Sequence, residues 1–229
     1  MKPPQVKFVI NRKLDILNHL IGVNSYERRL HSLHFQKNER YEHLLKLPLP
    51  ERKKAISKEI SWFYSVKNKK YREKSLKEIQ AHWNKIEKEY FKKLEKIHEC
   101  RFSYKQVRGV LSTAGRFGYS TGKSCWFATD FKSGPVRASY VAMHELMHFM
   151  FHKYFWEFCE KQELPWKQIW DIKESFTVLL NIEFSGLLEG QKDNGYPEHQ
   201  KIRAFIKRNY PKRQNFKSLL LKTCLFVKK

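Results

Sequence analysis

The chain has 229 residues, 41% hydrophobic and 15% aromatic, with 46 Lys and Arg against 23 Asp and Glu, a net charge of +23. This length and apolar content suit one domain, or one domain with a helical arm, around a sizeable core, and exclude global disorder. Only 9 Gly and 8 Pro exclude collagen-like and low-complexity chains, and no apolar run approaches the ~20 residues of a bilayer span.

The first ten residues hold Phe8-Val9-Ile10 as their longest apolar stretch. That is too short for a signal-peptide core, so the cytoplasm is the expected compartment. Residues 1–100 read as a helical region. Asn11 to Gly22 spaces Leu14, Ile16, Leu17, Leu20 and Ile21 on one face, with Gly22 as a stop. A short helix is predicted over Tyr41 to Leu47, ended by Pro48 and Pro50, and a third over Glu51 to Val66. The longest runs from Lys70 to His98, with Leu76, Ile79, Trp83, Ile86, Tyr90 or Phe91, Leu94 and Ile97 at steps of three and four and Lys and Glu on its other faces. His19, His31, His34, His43, His82 and His98 show no metal-ligand spacing.

The texture changes at residue 101. Phe102 to Thr113 and Ser124 to Phe131 are short, β-branched and aromatic, with Gly-rich turns between them, which predicts two or three strands of a small antiparallel sheet. Helices follow over about Ala138 to Lys161 and Pro165 to Leu188, with Pro165 in a first turn. The expected fold is α+β and mainly helical: a helical N-terminal region over 1–100, then a domain over 101–229 with a zincin-like helix pair and a basic tail. Four cysteines without a CxxC pair argue against a disulfide framework.

Charge is distributed unevenly. Residues 1–110 hold 27 basic and 12 acidic side chains, residues 111–198 hold 9 and 11, and residues 199–229 hold 10 and none. The basic ends fit nucleic acid or another polyanion as a partner, and a solvated lysine surface accounts for the same charge.

Chemistry concentrates in Ser139-Tyr-Val-Ala-Met-His144-Glu145-Leu-Met-His148. Residues i and i+4 share a helix face, so two imidazoles can close on one metal, and the Glu beside the first can deprotonate a water held there. The surrounding Val141, Ala142, Met143, Leu146, Met147, Phe149, Met150 and Phe151 make this helix apolar nearly all round. Two imidazoles and a carboxylate in such a helix need a partner, and a divalent cation supplies one. His152 lies about 12 Å along the axis from His144, so it reads as packing or as a neighbour of a ligand.

A catalytic site needs a third ligand. Asp171, Glu174 and Glu183 are the candidates on the next helix, with Asp171 suited to bond a histidine N–H. A first helix ending near 155 favours Glu174; one running straight to 162–164 favours a position nearer 180, and so Glu183. The HELMH helix, followed by Lys173-Glu174-x-x-Thr177-x-Leu179-Leu180-Asn181, resembles the gluzincin zinc metallopeptidases. More closely, with Gly195-Tyr196-Pro197-Glu198-His199 downstream, it is similar to a group of uncharacterised bacterial HExxH proteins. The resemblance spans roughly residues 101–210. It implies Zn²⁺ on His144, His148 and Glu174, and hydrolysis of peptide bonds.

An oxyanion donor is also needed, and Tyr196, His199 and Arg203 are candidates. An extended substrate could add to a sheet edge, at Val110 to Thr113 or Trp126 to Thr129. The tail reads as a helix with a basic face, followed by Leu219-Leu220-Leu221 docked on the core. The expected function is a zinc-dependent metallopeptidase acting on a protein or peptide, with Glu145 as general base. The alternative is a nucleic-acid-associated basic protein whose metal site is structural or inactive.

Overall fold

A computed structural model describes residues 4–28, 38–115, 118–122 and 125–228. It is α+β and mainly helical, with a four-stranded sheet. In chain order come β1 (Gln5–Val9), α1 (Arg12–Glu27), α2 (Glu39–Leu45), α3 (Leu49–Glu59), α4 (Ser61–Tyr64) and α5 (Lys69–His98). β2 (Gln106–Ser112), β3 (Tyr119–Ser120) and β4 (Trp126–Asp130) follow. The remainder is helical: α6 (Gly134–Tyr154), α7 (Trp156–Glu160), α8 (Trp166–Phe176), α9 (Leu179–Glu183), α10 (Gln200–Asn209) and α11 (Phe216–Val227). None of these helices is long and apolar enough to cross a membrane. His31 and His34 lie outside the described residues.

The chain forms two compact units, one of residues 1–5, 83–105 and 139–229, the other of residues 6–82 and 106–138. The change of texture expected at residue 101 therefore falls inside the first unit.

In the second unit, Asn11 accepts from the Leu14 N–H and starts α1, which runs past Gly22 to Glu27. The expected stop at Gly22 is wrong because this glycine is a buried mid-helix residue; Leu20, Val23 and Tyr26 around it pack on Tyr41, Leu44 and Ile56. The gain from burying that face outweighs the ~1 kcal/mol that glycine costs a helix. Asp15 and Asn18 of α1 are also buried. Asp15 accepts from the Ser112 hydroxyl at 2.7 Å and the Thr113 N–H at 2.9 Å, and Asn18 Oδ1 accepts from the Gly118 N–H at 3.0 Å.

The sheet order is β1-β2-β4-β3, with β2 and β4 parallel, Val110 opposite Ala128, and β3 and β4 antiparallel. The expected antiparallel sheet is corrected to a mixed one. Strand spacing does not encode direction; here the chain crosses between β2 and β4 and inserts β3 on the way. β2 and β4 are interior strands flanked on both sides, so neither stretch proposed as a substrate-binding edge is an edge. β1 was not predicted. Its Val6 and Phe8 alternate into the core, and Gln80 bonds the Phe8 N–H at 2.8 Å and the Val6 carbonyl at 3.1 Å.

The first unit is built around aromatic side chains. Tyr90, Phe149, Phe155, Phe184 and Phe216 are almost fully buried. The Tyr90 hydroxyl donates to the Met143 carbonyl at 2.7 Å, which fixes α6 beside α5 just before the HExxH turn. α10 packs on α8 and on α11, whose start carries a capping box at Asn215 and Ser218. Leu219 and Leu220 dock as expected, whereas Leu221 is exposed.

Candidate metal centre

α6 holds the apolar positions around the motif in the core, as its composition predicts: Met143, Leu146, Phe149 and Met150 have no exposed surface. The helix ends at Tyr154 and a separate short helix follows. That early end is the condition that favours Glu174 over Glu183. The second expected helix is broken as well. The Thr177 hydroxyl donates back to the Glu174 carbonyl at 2.7 Å, and the backbone tightens to i→i+3 bonds at Val178 and Leu180. A threonine side chain competing for its own helix's carbonyl loosens the turn. Glu174 thus stands near the end of α8, while Glu183 belongs to α9, where its carboxylate lies beside Tyr210.

His144, His148 and Glu174 each offer a ligand atom, and the three atoms lie within 4.8 Å of one another. Glu174 Oε2 is 3.4 Å from His148 Nε2 and 3.8 Å from His144 Nε2. Donors around a tetrahedral zinc at about 2.1 Å stand about 3.4 Å apart, so this set fits such an ion with small adjustment. The His144 side chain is 20% exposed, against 2% for His148 and 8% for Glu174, so His144 marks the solvent side.

Asp193 organises the other face of His144. Its Oδ2 accepts from His144 Nδ1 at 2.7 Å and from the Tyr140 hydroxyl at 3.0 Å. Its Oδ1 pairs with Arg203 at 2.8 Å and lies 3.0 Å from the Thr177 hydroxyl. Asn181 bonds the Asp193 N–H and carbonyl, at 2.9 and 2.7 Å. A carboxylate on Nδ1 fixes the imidazole so that Nε2 faces the ligand cluster. The expectation that Asp171 plays this part is corrected: the carboxylate on the cluster histidine is Asp193. Asp171 does hold a histidine, accepting from His199 Nε2 at 3.0 Å, and it also accepts from Lys167. Tyr196 sets its ring edge against His199 at 5.4 Å and is itself 53% exposed. Asp171, His199 and Tyr196 form this second group, one turn of α8 before Glu174. Arg203 reads as an oxyanion candidate in the sequence, but it is buried in the ion pair with Asp193. His152 stacks on Trp156 at 4.7 Å, a packing role.

The electrostatics follow from burial and pairing. Burial works against a charge on His144, but the bonds to Asp193 and Glu174 outweigh it and raise its pKa to about 10. A proton therefore sits where a cation would, and metal uptake must release it. Burial, and then the Lys173 charge, push His148 down to about 3, which leaves it a neutral donor. Burial also opposes ionisation of Glu174, yet His148, His144 and Lys173 hold it far below the usual carboxylate range. Asp193 is likewise pulled down to about 2, the His144 bond overriding burial. Burial raises Glu145 to about 7 against the pull of His144 and Lys173, and its buried Oε2 has no hydrogen-bond partner.

The roles of Asp193 and Lys173 are not legible in the sequence. Asp193 is 49 residues from His144, and Lys173 figures there only as the residue before Glu174 in the motif of the second helix. The tripeptide Asp193-Asn194-Gly195 holds the one usable signal, an acid two residues before the glycine of a motif-like segment. Comparison with protein-family models, curated proteins and solved structures gives no match.

Proposed function

We propose that this protein is a zinc-dependent metallopeptidase. The observation that carries the proposal is the convergence of His144, His148 and Glu174 beside a buried carboxylate, Glu145, that has an unbonded oxygen. His144, His148 and Glu174 would hold the ion. A divalent ion there supplies a Lewis acid that polarises a carbonyl and acidifies water. Glu145, raised to about 7, takes a proton from water at Oε2 and delivers it to the leaving amine. Asp193 keeps His144 in the tautomer that presents Nε2. His199, anchored on Asp171 one turn before Glu174, and Tyr196, whose ring edge meets His199, are the candidate donors to the developing oxyanion.

The test is metal content together with hydrolysis of a mixed peptide library by wild type, Glu145→Gln, Glu174→Ala and Glu183→Ala. One zinc per chain is expected in wild type, Glu145→Gln and Glu183→Ala, and much less in Glu174→Ala. Glu145→Gln keeps its metal and loses turnover. Zinc lost only in Glu183→Ala, or parent-rate hydrolysis by Glu145→Gln, overturns these assignments.

A second reading is supported by the tail. Lys201, Lys207, Arg208, Lys212, Lys217, Lys222 and Lys228 are all exposed on or beside α10 and α11, with no acid in residues 199–229. Such a surface suits a polyanion, with the metal centre in a structural role. Binding to duplex DNA that falls steeply with salt and survives chelation, without any hydrolase activity, would favour it.

A further inference from the structure

Lys173 is wholly buried, a position lysine takes only when its charge is paired. Nζ donates to Glu174 Oε1 at 2.7 Å and sits 3.6 Å from the centroid of the Trp170 ring. Neighbours in a helix point about 100° apart, so Lys173 must fold back across Glu174 to make this bond. The Trp170 ring, three residues earlier, holds the ammonium there by its π face. The other oxygen of Glu174 is the one that meets both imidazoles, at 3.4 and 3.8 Å. The two oxygens of one carboxylate thus have different neighbours, a cation on Oε1 and the histidine pair on Oε2.

A carboxylate can bind a metal through one oxygen or through both. An ammonium bonded to Oε1 blocks the second mode by occupancy and by charge repulsion. We propose that Lys173 is a positioning residue that makes Glu174 a one-oxygen ligand, so that the protein supplies three donor atoms and leaves the ion a position open to substrate. An open position separates catalytic zinc sites from closed structural ones. The inference rests on the metal-centre reading above and deepens it.

Cobalt(II) loaded into the full chain in place of zinc tests this, because four-donor cobalt absorbs visible light several times more strongly than cobalt with more donors. Lys173→Met keeps an unbranched apolar stem without donor or charge. Lys173→Arg keeps the cation, the donor and the ability to stack on Trp170. One cobalt per chain is expected in all three proteins. The strong band is retained in wild type and Lys173→Arg and falls at least twofold in Lys173→Met. Urea unfolding checks that each variant is folded; should the methionine variant not fold, Lys173→Leu, which also lacks a donor and a charge, replaces it with the same expected loss. A methionine variant with the wild-type band overturns the proposal and leaves the metal centre standing. An equal fall in a folded arginine variant also overturns it, since any change in the slot would then disturb the site. A wild type that takes up neither cobalt nor zinc overturns the metal-centre reading, and this inference with it.

Discussion

Asp193 holds one end of His144 while Tyr140 and Arg203 hold Asp193. Removing the carboxylate leaves a buried guanidinium unpaired and the imidazole free to turn. Asp193→Ala is expected to weaken metal binding by about 10–100-fold in chelator competition. It should also lower stability by about 3–5 kcal/mol in urea unfolding, the usual cost of breaking a buried pair. Asp171→Ala, which removes the partner of His199 and leaves the Asp193–His144 bond intact, should keep metal affinity within a few fold of wild type. Equal losses in the two variants would show that the metal centre does not depend on the carboxylate of Asp193 in particular. At this scale the HExxH residues were legible because their geometry is local: four residues make one helical turn. Asp193 was not, because its partners come from separate elements; Lys173 bonds its own neighbour Glu174, but that it is buried rather than solvated depends on how α8 packs.

Gly195 shows how an element's geometry serves the centre. Its φ is +62°, a conformation side chains avoid, and a Cβ there would lie 2.7 Å from the Arg203 side chain. The glycine therefore lets the chain turn and leaves room for Arg203 to reach Asp193. Gly195→Ala is expected to cost roughly 1–3 kcal/mol in urea unfolding and to weaken metal retention. An unchanged midpoint would show that Arg203 can move without loss. The Gly-Tyr-Pro-x-His segment was visible in the sequence, but its link to the site was not, since Arg203 acts through a residue in the preceding turn. The choice between Glu174 and Glu183 also belongs here. It turned on where α6 ends and where Thr177 breaks the following helix, and hydrophobic periodicity does not report ends to within a turn.

Across the molecule, buried histidines couple stability to pH. Burial lowers His98 to about 4, the bond to the Leu94 carbonyl only partly opposing it, and its ring lies against Phe155 and Phe216. In the unfolded chain the same group titrates near ~6.5. Above that pH both states are neutral at this site and its full contribution is present. As pH falls from about 6.5 to about 4 the unfolded chain takes up a proton that the folded one refuses, so stability is lost over that window and levels off below it. The depressed pKa corresponds to a loss of about 3 kcal/mol. Urea unfolding from pH 7 to 4.5 should show the fall, and His98→Phe should make it shallower, His148 and His19 contributing the rest; parallel curves for the two proteins would remove His98 as a source. The surface charge acts at this scale too: the exposed lysines of α10 and α11 predict DNA affinity that drops steeply between low and physiological salt, read by fluorescence anisotropy.

By itself the sequence determined the α+β, mainly helical character, the long amphipathic α5, the buried HExxH helix and the basic ends. Each follows from composition or from a short-range period that one element carries. The tertiary structure alone decided the parallel pairing of β2 with β4, the strand at Gln5–Val9, Glu174 rather than Glu183 beside the histidines, and Asp193 and Lys173 as their supports. Apart from the Lys173–Glu174 bond, which lies within α8, these are contacts between residues from separate elements, and their stability comes from desolvation and pairing in the folded interior, which no local pattern records.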